Sequence, residues 1–142
     1  MGTTTFSGPV KAGTIREGSS ANVGFVEMAQ TAAWTQSGTA ASTGIIVPAG
    51  SQITEITLYI TTAPTAVNLS GGTSVTATEL FSGLAQGSAA NKITQASTAA
   101  TTVTPAWVDV GTSDVTIFLK SASGSDGRGY VTVKYIQNNN IA

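Results

Sequence analysis

Three stretches of this sequence repeat large apolar residues at a period of two. Ile56, Leu58 and Ile60 alternate with Thr57, Tyr59 and Thr61; Val115, Ile117 and Leu119 with Thr116, Phe118 and Lys120; Val131, Val133 and Tyr135 with Thr132, Lys134 and Ile136. Successive side chains of a strand point to opposite faces, so each stretch specifies a strand with one buried face. Helix signals are nearly absent, because Thr, Val, Ser and Gly dominate long stretches and disfavour helix interiors. At 142 residues, the chain has room for one domain but not for two independent cores. Hydrophobic residues are 41% of it, much of that Ala, so the core must be thin, as in a two-layer sandwich.

Further strands follow from turn chemistry and apolar runs. Asn22 to Thr35 carries Val23, Phe25, Val26, Met28 and Trp34, with a change of face at Phe25/Val26 that fits a bulge. Gln36 to Thr43 ends that strand. Ile45, Ile46 and Val47 then lead into the turn-forming Pro48-Ala49-Gly50-Ser51. In the middle, short strands are expected around Ala66 to Leu69 and Val75 to Thr78, with a helical turn opening at Glu79-Leu80-Phe81. The Gly/Ser-rich Ser121 to Gly129 reads as a mobile loop joining the last two strands into a long-loop antiparallel hairpin. Short strands without a βαβ pattern predict an all-β fold, an antiparallel β-sandwich of jelly-roll type. Residues 1–18, with few large apolar side chains and interspersed Gly and Pro, read as an extended N-terminal arm, an edge strand or a loose terminus. Residues 19–142 form the single β-sandwich domain.

Composition excludes much chemistry. With no His and no Cys, the commonest general base, the thiolate nucleophile and the usual zinc and copper ligands are missing together. The acids Glu17, Glu27, Glu55, Glu79, Asp109, Asp114 and Asp126 show no spacing that selects a catalytic pair or a calcium loop. Asp109 and Gly111 read as a turn, Asp114 as the cap of the next strand, and Asp126-Gly127 as a turn with positive φ at the glycine. Gly71-Gly72 lacks the Lys-Ser or Lys-Thr of a phosphate loop. Asn68-Leu69-Ser70 matches a glycosylation acceptor by accident, since no secretory signal is expected in Met1 to Pro9. Phe6 stands where a myristoylation signal wants Ser or Thr. No enzyme, cofactor or metal is expected.

Partners are constrained by charge. Charged residues are 9% of the chain, against roughly 25% in an average domain. The six basic residues, Lys11, Arg16, Lys92, Lys120, Arg128 and Lys134, are scattered, which argues against nucleic acid. No apolar run is long enough for a membrane span, and a soluble chain is expected. A sparsely charged surface packs against neighbours with few ions to desolvate, which suits an assembly component. Trp34 and Trp107 are candidates for core or interface anchors, or for a platform that stacks on sugars.

Several blocks resemble small virion proteins of tailed phages, particularly phages of marine bacteria. They are Thr3–Ile15 (TTTFSGPVKAGTI), Asn22–Gln30 (NVGFVEMAQ), Pro48–Ile53 (PAGSQI), Trp107–Thr116 (WVDVGTSDVT) and Val131–Asn140 (VTVKYIQNNN). The resemblance covers both ends and about a third of the chain, and no block is a biochemical motif. It implies a decoration or cement protein, made in the host cytoplasm, on the outer surface of the expanded head. There it would bind the major capsid protein, commonly as a homotrimer, with Phe6, Pro9, Val10 and Ile15 anchoring the arm. The other reading is a tail or head-fibre protein touching host glycans through Trp34, Trp107 and loop tyrosines.

Overall fold

The computed structural model describes residues 27–64, 68–85, 92–96, 105–124 and 126–137, and residues 92–96 are described by their backbone. Among the described residues eight strands and one helical turn follow in order: β1 (Glu27–Thr35), β2 (Ala41–Val47), β3 (Gln52–Thr62), β4 (Asn68–Gly72), β5 (Phe81–Ala85), β6 (Lys92–Ala96), α1 (Pro105–Val108), β7 (Val115–Ser121) and β8 (Arg128–Ile136). They form two four-stranded antiparallel sheets, ordered β1-β8-β3-β6 and β2-β7-β4-β5. The chain changes sheet at every connection except β4 to β5. That order is compatible with the expected jelly roll.

The period-two reading holds in detail. Ile56, Leu58 and Ile60 of β3, Val131, Val133 and Tyr135 of β8, and Ile117 and Leu119 of β7 all join one buried cluster, with Val115 packed against it. Burying a side chain of this size is worth about 1.5–3 kcal/mol each. β3 reaches the core with one more residue, Ile53, three positions before Ile56. Its register against β8 slips between Ile53 and Glu55, so the extra residue Thr54 resets the phase and both isoleucines face inward. In β1, Trp34 is buried and Met28 and Ala32 pack against the same core cluster. The Phe25/Val26 change of face lies outside the described residues.

Several expectations are corrected. β7 and β8 are not a hairpin: β7 pairs with β2 and β4, and β8 with β1 and β3, so their apolar faces meet across the sandwich. The loop between them is pinned by Gln36, whose amide donates to Ser123 O (2.6 Å) and accepts from Gly127 N (2.9 Å), while its backbone N–H donates to Gly127 O (2.8 Å). The left-handed glycine of that loop is Gly124 (φ 89°). Gly127 instead is small because a Cβ would come within 2.8 Å of Pro64 Cβ and 2.9 Å of Gln36 Oε1. In the middle of the chain, Val75 to Thr78 is a turn, and Glu79-Leu80-Phe81 opens no helix, since Phe81 begins β5. Its ring lies over Gly71, where a Cβ would sit 2.4 Å from the ring.

Two edge strands are irregular. β2 carries two residues more than β7 between Ser42 and Ile46, with Gly44 at φ 76°, and Thr43 Oγ1 donates to Ile117 O (2.8 Å) where the ladder is broken. β5 bulges at Gly83 (φ 70°). The corner between β1 and β2 is closed by Gln30. Its Nε2 donates to Ile46 O (2.7 Å) and Tyr135 Oη (2.8 Å), and its Oε1 accepts from Ile46 N (3.3 Å). One side chain thus takes the place of a neighbouring strand's backbone. Gln30→Leu keeps the volume and removes these bonds; the expected loss is about 1–2 kcal/mol, because water reaches half-exposed Ile46 and replaces part of them. A urea midpoint equal to that of the parent protein would contradict this role.

Candidate interaction surface

Among the described residues no three His, Cys, Asp or Glu side chains gather as a metal site. Between the sheets, a void lined by Ile56, Leu58, Leu69, Phe81, Leu84, Leu119 and Val131 measures about 10 Å³, no more than one water needs. A shallow cleft of about 300 Å³ lies on the β2-β7-β4-β5 sheet, lined by Asn68, Ser70, Thr78, Ser82 and Lys120 among others.

Phe6, Pro9, Val10 and Ile15 lie outside the described residues. The two tryptophans are core, the first of the roles expected of them, rather than interface aromatics or a sugar platform: Trp34 is 5% and Trp107 1% exposed. Trp107 Nε1 donates to Leu80 O (2.6 Å), so the short α1 is a plug that carries one large ring into the sandwich. The tyrosines are in strands, not loops. Tyr59 and Tyr130 face each other in the β3–β8 register and are exposed, whereas Tyr135 is buried. On the same sheet, Lys134 Nζ meets a Glu55 carboxylate oxygen at 3.1 Å, and that hydrogen bond and charge raise the lysine's pKa.

Strand directions divide the connections between two ends. The start of β1, the end of β8 and the start of β3 lie together, since Glu27 and Gln52 both pair with Ile136. The turn 48–51 and the segment 105–114 join them there through Gly50 N to Gly111 O (2.8 Å), Val110 N to Ser51 O (3.0 Å) and Ala49 N to Asp114 Oδ1 (3.0 Å). Asp109 forms its expected turn, accepting from Gly111 N (2.8 Å). The β4–β5 connection 73–80 is at this end too, tied to α1 by the Trp107 bond. The other end carries the polar segment 36–40 and the Gln36-pinned loop.

The β4–β5 connection is built around Glu79. Its carboxylate accepts from Ser74 Oγ, Thr76 Oγ1 and Thr78 N. Partial burial pushes its pKa up, but bonds from Ser74, Thr76 and the backbone N–H groups of Glu79 and Thr78 outweigh it and hold the pKa at about 2. Ala77 sits at φ 52°, the one non-glycine with positive φ among the described residues, its methyl fully buried. Gly72 lets the loop fold onto β4, since a Cβ there would overlap Glu79 Oε2. The hydroxyls of Ser74 and Thr76 turn inward to the carboxylate, and Val75 between them is 74% exposed. The spacing Thr76-x-x-Glu79 was the available sequence signal, and it is shared with a helix capping box.

Because Glu79 ionises more readily folded than unfolded, its contribution to stability is full above pH 4.5 and is lost as pH falls through about 2. The melting temperature should therefore drop across that window, and Glu79→Gln should flatten this part of the profile while lowering stability at neutral pH. Parallel profiles for the two proteins would refute the assignment.

Neither a protein-family model nor a curated protein matches the sequence. Among solved structures, the fold is similar to a chain of the acid-stable capsid of Helicobacter pylori bacteriophage KHP30, at 15% identity and a TM-score of 0.52 over 80% of this chain and 89% of that one. A chain of the cyanophage Pam1 capsid asymmetric unit aligns at 22% identity and a TM-score of 0.48, over 92% of this chain and 99% of that one.

Proposed function

We propose that this chain is a structural protein of a phage head, a decoration or cement protein that binds the outer surface of the expanded shell and bridges neighbouring major capsid subunits. The observation that carries the reading is the fold shared with a chain of the KHP30 capsid over four-fifths of this sequence. The low charge supports it, because a surface with few ions loses little solvation when it packs against a shell. The fibre reading has lost its two tryptophans, which are buried, and keeps the exposed pair Tyr59 and Tyr130.

Binding only the expanded lattice stabilises that lattice by mass action, about 2.7 kcal/mol per site at a free concentration a hundred times Kd. In this reading the N-terminal arm, through Phe6, Pro9, Val10 and Ile15, adds to an exposed sheet edge of the capsid protein, and three copies meet at a local three-fold position. Purified protein mixed with expanded capsids and with unexpanded procapsids, then imaged by cryo-electron microscopy, should give added density on the expanded lattice alone. Density on neither refutes the proposal. Deleting Gly2 to Ile15 should abolish binding and leave the melting temperature of the sandwich unchanged; full binding by the truncated chain removes the arm from the account.

A further inference from the structure

The exposed aliphatic side chains are not spread evenly. Among the described residues the large exposed hydrophobics are Ile46, Tyr59, Val75, Val108 and Tyr130. The three aliphatic ones belong to the α1 end: Val75 in the 73–80 loop, Val108 (46% exposed) in α1, and Ile46 (50%) one residue from the end of β2. Isolated exposed apolar residues are ordinary. Val75 is not ordinary in its support, for it is carried on a strained Ala77, a close-approach Gly72 and a carboxylate that draws the flanking hydroxyls inward. A loop held in shape by its own hydrogen bonds, with an apolar residue presented outward, has little conformational entropy left to lose on contact.

The same end is where the 26 residues preceding β1 join the sandwich at Glu27, beside the end of β8. We infer that the α1 end is the docking face, with Val75 as a preformed apolar knob that seats in a weakly charged pocket of the shell protein next to the site of the arm. This inference rests on the decoration reading and says which way up the sandwich sits: α1 end toward the shell, Gln36-pinned end outward.

The test uses the full chain and purified expanded capsids, with bound protein measured by co-sedimentation across a concentration series. Val75→Asp should weaken binding about tenfold or more, as for a buried apolar anchor, with an unchanged melting temperature because the side chain is exposed in the free protein. Ala63, exposed just past the end of β3, lies at the opposite end. Ala63→Asp places the same charge there and should bind within about twofold of the parent, as a charge outside an interface does. If the parent binds and Val75→Asp saturates at the same concentration, or Ala63→Asp loses as much, the orientation is wrong and the decoration reading stands. If the parent itself does not bind, that reading fails and the docking face falls with it.

Discussion

A chain that changes sheet at nearly every connection leaves its corners short of backbone partners, and this fold depends on two glutamine side chains to supply them. Gln30 offers the bulged β2 both a donor and an acceptor where no strand lies beside it. Gln36, 2% exposed, does the same for the β7–β8 crossing at the other end. A primary amide is the one uncharged side-chain group that presents donor and acceptor in the geometry of a peptide. With six basic and seven acidic residues in the chain, neutral groups carry most of this polar bonding, and Ser and Thr hydroxyls complete it at Thr43, Ser74, Thr76 and Ser121.

Once the corners are fixed, the apolar faces can be simple. β8 runs nine residues against β1 without a slip, and its alternate residues meet those of β3 in one plane. Against β3 the register slips twice, and the first slip turns Ile53 inward and lengthens the core by one layer. Trp107 closes the α1 end with a ring and a hydrogen bond where a strand pair would have needed a further ladder.

What was legible in the sequence was whatever a single strand decides alone. β3, β7 and β8 announce themselves by period, because each presents one face to the same core. β6 does not: Lys92-Ile93-Thr94-Gln95-Ala96 holds one large apolar residue and exists through its ladder with β3. α1 is too short to be stable in isolation and is set by the burial of one ring, which no helix period can signal. The bulges at Thr54, Gly44 and Gly83 depend on which strand lies opposite, and the hairpin expectation failed for the same reason, since a Gly/Ser-rich loop fits a sheet crossing as well as a turn. Val75 read as the start of a short strand and Glu79 as the opening of a helical turn; what makes a loop of both is the gathering of two hydroxyls around one carboxylate, a tertiary arrangement.

The two glycine-bearing bulges, at Gly44 and Gly83, lie on β2 and β5, the two edges of one sheet. An edge whose backbone groups fall out of step cannot template another strand over any length. Copies of this protein crowded at high local density can therefore sit flank to flank along that sheet without zipping into a continuous β-ribbon. Lateral growth is switched off on one layer of the sandwich by two residues that lack side chains.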